Sequence, residues 1–299
     1  MKLFKIILGK EDFQNVDAFR NILYSGLQQS KEACLYHSVK EILDKDFICF
    51  HCQFWPTMEH TFETQEYIRK SISTVIAEYI VEFKEEEALK ELLAQEFGYD
   101  LTIEQHRILD FIHSILQGSD FGERSERIHK DLMKKKIMEK AMDYLWVEHT
   151  LTLDGFVRFR LKEQWEEWRL LAQQGIEEYL ADEEYKEFIG FVRFCLSAQE
   201  AKTKLLHIVH IDDQNLQLFN EGWQHVSTEK QDELFSYWNQ SRKNYEDLLL
   251  SELIYIAPEQ LIIHTDQEQH HIIYTLKRIF DKRVNICHHC SDCCTRMGL

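Results

Sequence analysis

Two prolines, Pro56 and Pro258, and ten glycines are the only strong backbone breaks in this chain of 299 residues. Proline removes a donor and clashes with the preceding turn, and glycine loosens the backbone. A chain so poor in both has little room for flexible linkers, and its regular elements must be long and packed directly on one another. A long one opens at Thr64. Apolar residues at 68, 72, 75, 76, 79, 80, 83, 89, 92, 93 and 97 recur at helical spacing, which gives a helix one stripe to bury and one to leave wet. The run Glu85-Glu86-Glu87 marks a break within it.

Residues 2–8 alternate as a strand does, and 14–29 carry a helical stripe of Val16, Phe19, Ile22, Leu23 and Leu27. Asp46 to Trp55, closed by Pro56, reads as a buried strand. Gly118-Ser119-Asp120-Phe121-Gly122 is the clearest loop. Helical periods resume over 125–147 and 156–199, on either side of Thr150-Leu151-Thr152-Leu153-Asp154-Gly155. After Lys204 the period shortens. Leu205–Ile211 predicts a strand, Asp212–Asn215 a turn and Leu216–Phe219 the returning partner. A helix over 230–256 stops before Pro258, and strand, helix and strand follow at 260–264, 267–282 and 284–286. That last unit predicts a parallel crossover.

The fold class is therefore helix-rich α+β. It has an N-terminal strand–helix–strand unit, a central helical region and a small C-terminal mixed sheet with helices. The predicted regions are 1–117, 123–202 and 203–299.

Fifty-two acidic against 35 basic residues give a formal charge of −17, a field that repels nucleic acid and anionic membranes at long range. No uncharged apolar run approaches the ~18 residues of a membrane span. The opening Met1–Gly9 is too short and too soon charged for a secretory core. Eight cysteines without an export signal then read as reduced thiols in a cytoplasm.

Half of those cysteines fall in the last thirteen residues, as Cys287, Cys290, Cys293 and Cys294. The first three step along as C-x-x-C-x-x-C, and neighbouring thiolates at that spacing converge on one ion if a turn lies between them. His288-His289 and Ser291-Asp292 are polar enough to turn. Zinc asks for four ligands, so Cys294, a nearby histidine or a remote group must complete the three cysteines. An iron–sulfur cluster, a thiol redox switch and a frayed terminus with inert cysteines are the alternatives.

Cys49 and Cys52 do not complete the set. Residues three apart on a strand point to opposite faces, so these two read as core thiols. The same geometry separates His207 from His210. No phosphate loop, hydrolase elbow or zincin motif occurs, and glutamate pairs such as Glu177-Glu178 and Glu183-Glu184 read as solvated helix faces.

The one basic stretch, Arg124–Lys140, reads as an ion-paired surface helix resting on Ile128, Leu132, Ile137 and Met138, or as a contact for RNA or an acidic partner. Phe156 and Phe159 fall on one side of the next helix. Tyr179, Leu180, Tyr185, Phe188, Ile189, Val192, Phe194 and Leu196 form an apolar seam beyond it. Arg158, Arg160 and Arg193, within that seam, call for carboxylates such as Glu184 or Glu187.

The stretch Asp154–Lys162, with Glu178-Tyr179-Leu180, Glu184–Ile189, Glu246–Leu249, Ile256-Ala257-Pro258 and the closing Cys287, Cys290 and Cys293, resembles the YtxC-like family of spore-forming Firmicutes. The resemblance implies a cytosolic, sporulation-associated protein with no established activity and no catalytic residues to carry over. Together the readings point to a non-enzymatic scaffold or regulator with a protein partner and a zinc site in its tail. An iron–sulfur or thiol redox protein and an RNA-binding accessory protein are the other readings.

Overall fold

The computed structural model describes residues 2–28, 35–56, 62–100, 102–118, 123–212, 215–226, 245–288, 290 and 292. It is a helix-rich α+β protein whose chain divides into two compact units, Met1–Leu180 and Ala181–Leu299.

The first unit is built on a four-stranded sheet of order β2-β3-β1-β4. Strand β1 (Lys2–Gly9) lies antiparallel to β3 (Phe47–Pro56), and β2 (Leu35–Leu43) pairs with the outer side of β3. Alternation explains β1: Phe4, Ile6 and Leu8 are fully buried while Leu3, Lys5 and Ile7 face a wetter side. Phe4 pairs with Cys52 and Ile7 with Cys49, so the two cysteines occupy opposite faces. Burial raises the pKa of both thiols, that of Cys52 to about 12, which keeps them unreactive.

Two strands escape the sequence reading. Strand β2 is an edge strand with Tyr36 and Leu43 exposed and Lys40 and Glu41 in its middle, so it has no clean buried face to announce it. Strand β4 (Thr150–Thr152) has three residues and buries only Leu151, yet it adds in parallel to β1.

Helices α1 (Val16–Gln28), α2 (Phe62–Tyr79), α3 (Glu85–Gln95), α4 (Thr102–Gln117), α5 (Glu123–Val147), α6 (Leu153–Arg160) and the start of α7 (Lys162–Ala198) complete this unit. The predicted break at Glu85-Glu86-Glu87 is a π turn, Ile80–Lys84, joining α2 to α3 without ending the helix. That turn brings Lys84 to a buried knot of charge. Its Nζ lies 2.7 Å from Asp12 Oδ1, 2.8 Å from Glu87 Oε2 and 3.0 Å from Asp154 Oδ1. Tyr79 donates its hydroxyl to the same Asp12 oxygen at 2.9 Å. Gly9 ends β1 beside the knot, where a Cβ would sit 2.6 Å from Asp154 Oδ2.

Burial raises the Asp12 pKa against the pull of Lys84. Burial also works against the Lys84 ammonium, but its hydrogen bonds to Asp12 and Glu87 hold its pKa above the ordinary value.

Glu85 anchors a second point. Its Oε1 accepts from the indole of the buried Trp168 at 3.0 Å and lies 3.0 Å from His129 Nε2. The hydrogen bond to Glu85 raises the pKa of His129.

The buried stripe of α5 is Met133, Ile137, Ala141 and Leu145. The expected contacts at Ile128 and Leu132 are absent: both are exposed, one helical step off that stripe. Four of the five α5 lysines are ion-paired, Lys130 with Glu126, Lys134 with Glu78, Lys136 with Glu167 and Lys140 with Glu163. On α6, Phe156 is buried but Phe159, one turn on along the same side, is 71% exposed. Arg158 reaches Glu91, not Glu184 or Glu187.

The second unit holds a sheet of order β6-β5-β7-β8. Strand β5 (Leu205–Asp212) pairs antiparallel with β6 (Asn215–Asn220) and parallel with β7 (Gln260–His264), and β7 pairs parallel with β8 (Val284–Cys287). Helix α8 (Tyr245–Ile256) precedes β7, and α9 (His271–Phe280) makes the crossover to β8. Residues 230–244 of the predicted helix, and the middle of the predicted 212–215 turn, lie outside the described residues.

One sheet face, with Leu206, Ile208, Leu261 and Ile263, packs with Ile189, Val192 and Leu196 of α7, Leu253 of α8 and Ile272 and Leu276 of α9. The expected apolar seam is split: Leu180, Phe188 and Phe194 are exposed. Arg193 donates to the Arg278 carbonyl at 2.7 Å instead of finding a carboxylate.

Replacing Lys84 with Met leaves Asp12 buried beside no cation, which is expected to lower stability by about 3–5 kcal/mol. Urea denaturation measures it, and adding Asp12→Asn should restore part of the loss. His129 gives a pH signature. Its folded pKa is raised, so its stabilisation is fully present below the ordinary imidazole value of about 6.5 and is lost as pH rises through the raised one. The stability gap between the native chain and His129→Gln should thus be wider at pH 6 than at pH 8.5.

Candidate metal centre

The face of the second sheet opposite its helices carries the site. In the parallel register, Val209 of β5 lies beside His264 of β7, and His264 lies beside Cys287 of β8. His207, two residues before Val209, shares that face. Both cysteine and histidine stand at the carboxyl ends of parallel strands, where the chain leaves the sheet and side chains from different strands can converge.

Past Cys287 the chain turns back. Thr265 N–H donates to the Cys287 carbonyl at 3.1 Å, and His288 Nδ1 lies 3.2 Å from the Thr265 carbonyl. His288 Nε2 also sits 3.0 Å from Glu268 Oε1. This turn returns Cys290 to the sheet face, with its Sγ 3.7 Å from His264 Nδ1. The donor atoms of His264, Cys287 and Cys290 all lie within 4.8 Å of one another, and the three can hold a metal ion.

The imidazole is set up for that role. His264 is 2% exposed, and its Nε2 lies 3.0 Å from His207 Nδ1. A lone pair on His264 Nδ1 requires the proton on Nε2, donated to His207. Such an outer partner fixes the tautomer of a ligating histidine. Burial, and secondarily the neighbouring His207, lowers the His264 pKa to about 4, and burial lowers that of His207. Both rings are therefore neutral near pH 7, the form that binds metals.

Trp223 roofs the pair, stacked on His207 at 4.3 Å between ring centroids. Its φ of 57° places a large residue in left-handed backbone, which is uncommon. A hydrogen bond from Trp223 N–H to the Asn220 carbonyl at 2.9 Å holds that turn.

Of the cysteines predicted as ligands, Cys287 and Cys290 meet here, while Cys293 and Cys294 lie outside the described residues. The remote group that joins them, His264, is not singled out by spacing: it lies 23 residues before Cys287 in the chain. Its signal is its place at the end of a short apolar strand, Gln260–His264, next to a crossover. His207 and His210 are separated as expected. His210 turns away to Thr265 Oγ1 at 2.9 Å and the His270 ring.

His207→Phe keeps the stacking area under Trp223 and removes the acceptor for His264. Zinc or cobalt affinity, measured by competition with a chromophoric chelator, should fall about 10–100-fold; unchanged affinity would remove His207 from the site.

A family model described as the YtxC-like family matches residues 70–285. That range contains His207 and His264 and ends just short of Cys287. The "Uncharacterized protein YtxC" of Bacillus subtilis (strain 168) is 27% identical over 220 residues, covering 73% of this chain and 77% of that protein. No solved structure matches.

Proposed function

The chain belongs to the YtxC-like family, and we propose that it is a cytosolic, sporulation-associated scaffold or regulatory protein whose second unit is pinned by zinc. One distance carries the zinc reading. Arms of about 2.3 Å to sulfur and 2.05 Å to nitrogen at a tetrahedral angle put the two donors roughly 3.6 Å apart, and Cys290 Sγ lies 3.7 Å from His264 Nδ1.

A mixed imidazole–thiolate set suits zinc, whereas most iron–sulfur clusters take cysteines alone. Cys293 or Cys294 supplies the fourth ligand in this reading. The ion would tie the ends of β7 and β8 to the returning tail, so its binding energy becomes folding energy for that unit. A structural role follows from a closed set of protein ligands, since catalytic zinc keeps one position for water.

The cytosolic reading rests on reduced thiols. None of Cys49, Cys52, Cys195, Cys287 and Cys290 is in a disulfide, and among the described residues no helix is long and apolar enough to cross a membrane. Four of the five α5 lysines are engaged by carboxylates, which weakens the RNA reading. A protein partner remains the fitting one for a protein without a recognisable catalytic motif.

Anaerobic purification with elemental analysis and an absorption spectrum tests the proposal. One zinc per chain and a colourless protein are expected. The double change His264→Gln and Cys290→Ser should abolish zinc retention and lower the melting temperature, and a chelator should lower it in the native chain alone. Stoichiometric iron with visible sulfide-to-iron absorption would replace zinc by a cluster. A metal-free protein whose stability ignores zinc would end the metal reading.

A further inference from the structure

A cleft in the first unit, between the last turns of α5 and the junction of α6 with α7, carries chemistry that the metal centre does not use. It is open and encloses about 570 Å³, within the range of small-molecule sites. A hollow of about 550 Å³ shares its walls at Tyr144, Phe159, Arg160 and Lys162 and adds Thr152 and Gly155.

Three observations set this cleft apart. First, the chain has a net charge of −17 and four of the five α5 lysines are matched with carboxylates, yet neither Arg160 nor Lys162 makes an ion pair among the described residues. The Arg160 guanidinium instead rests 5.4 Å from the Tyr144 ring centroid, which fixes its position while leaving its donors available. Second, Lys162 occupies the first position of α7. The helix dipole favours acid there, so the ammonium weakens the helix it begins. Third, Phe159 stands 71% exposed immediately before Arg160 in sequence, an aromatic face offered to solvent beside unpaired positive charge.

We propose that this cleft binds a nucleoside di- or triphosphate, with its phosphates on Arg160 and Lys162 and its base against Phe159 and Tyr144. A planar guanidinium and a mobile ammonium are the two side chains that best take phosphate oxygens. Aromatic faces stack any base. The carboxylates in the walls set the orientation. Glu163 is held by Lys140 at 3.2 Å. Asp143 and Glu148 line only the α5 side, where they repel phosphate and can accept from ribose hydroxyls or base amino groups. The hollow with Thr152 and Gly155 has no carboxylate, and the phosphates belong there. This site stands on its own observations and does not depend on the zinc reading.

Titration calorimetry of the full chain with ATP, ADP, inorganic pyrophosphate and an octauridylate tests it. ATP and ADP should bind saturably and more weakly as salt rises. Arg160→Gln and Lys162→Gln should each weaken ATP by roughly tenfold or more. Phe159→Ala should weaken ATP while leaving pyrophosphate unchanged, the mark of a stacked base. All three residues are exposed, and an unchanged circular dichroism spectrum certifies each variant as folded. No saturation by ATP or ADP at millimolar concentration, or equal ATP affinity in the Arg160→Gln, Lys162→Gln double variant, overturns the proposal. Binding of octauridylate without either mononucleotide overturns it too, and assigns the cleft to a strand.

Discussion

The register between β7 and β8 decides whether a metal centre can exist. Side chains on a strand alternate in face, so sliding β8 by one residue would send Cys287 to the helix-covered side and bring Ile286 beside His264. The hydrophobic pattern guards against that slip: Ile263 and Ile286 belong with the helices, and their burial fixes the opposite face for His264 and Cys287. The apolar core of the second unit thus aims the ligands of its polar face. Trp223 and His207 then close that face, excluding water from the imidazole and keeping it neutral.

The first unit follows a different rule. Its core is apolar almost throughout, yet Lys84 and Asp12 are buried within it and joined by Asp154 and Glu87. A buried ion pair contributes little net stability over an apolar substitute, but breaking it is costly. The value of such a knot lies in specificity. It admits one arrangement of the segment after β1, the π turn and the start of α6, because each carries one member of the charge set.

Much of this was legible in the sequence. Strand β1 betrays itself by alternation, β5 by the change of period after Lys204, and the long helices by their stripes. The π turn shows only as three consecutive glutamates just after it. What stayed hidden lacks a local signal. Strand β4 is too short for any period, and β2 buries too little to display one. The tail cysteines were visible as a run of soft ligands, but His264 joins them only through parallel strand pairing. The expected partners of Arg158 and Arg193 failed for the same reason, since Glu91 and the Arg278 carbonyl come from distant segments. Exposure at Phe159 and Phe194 likewise depends on which neighbours pack beside a helix, and the helical period does not carry that information.

The lateness of β4 has a consequence for how the chain is made. Lys5 pairs with Thr150, so one edge of β1 waits until the chain has been made as far as Thr150. At roughly 5–20 residues per second, that wait is on the order of 7–30 s. Through it, Lys2–Gly9 presents an open hydrogen-bonding edge beside Phe4, Ile6 and Leu8. The nascent chain is most prone to mispairing in this interval, and Lys5 is its local protection against a neighbouring strand. Three residues near the middle of the sequence close that window.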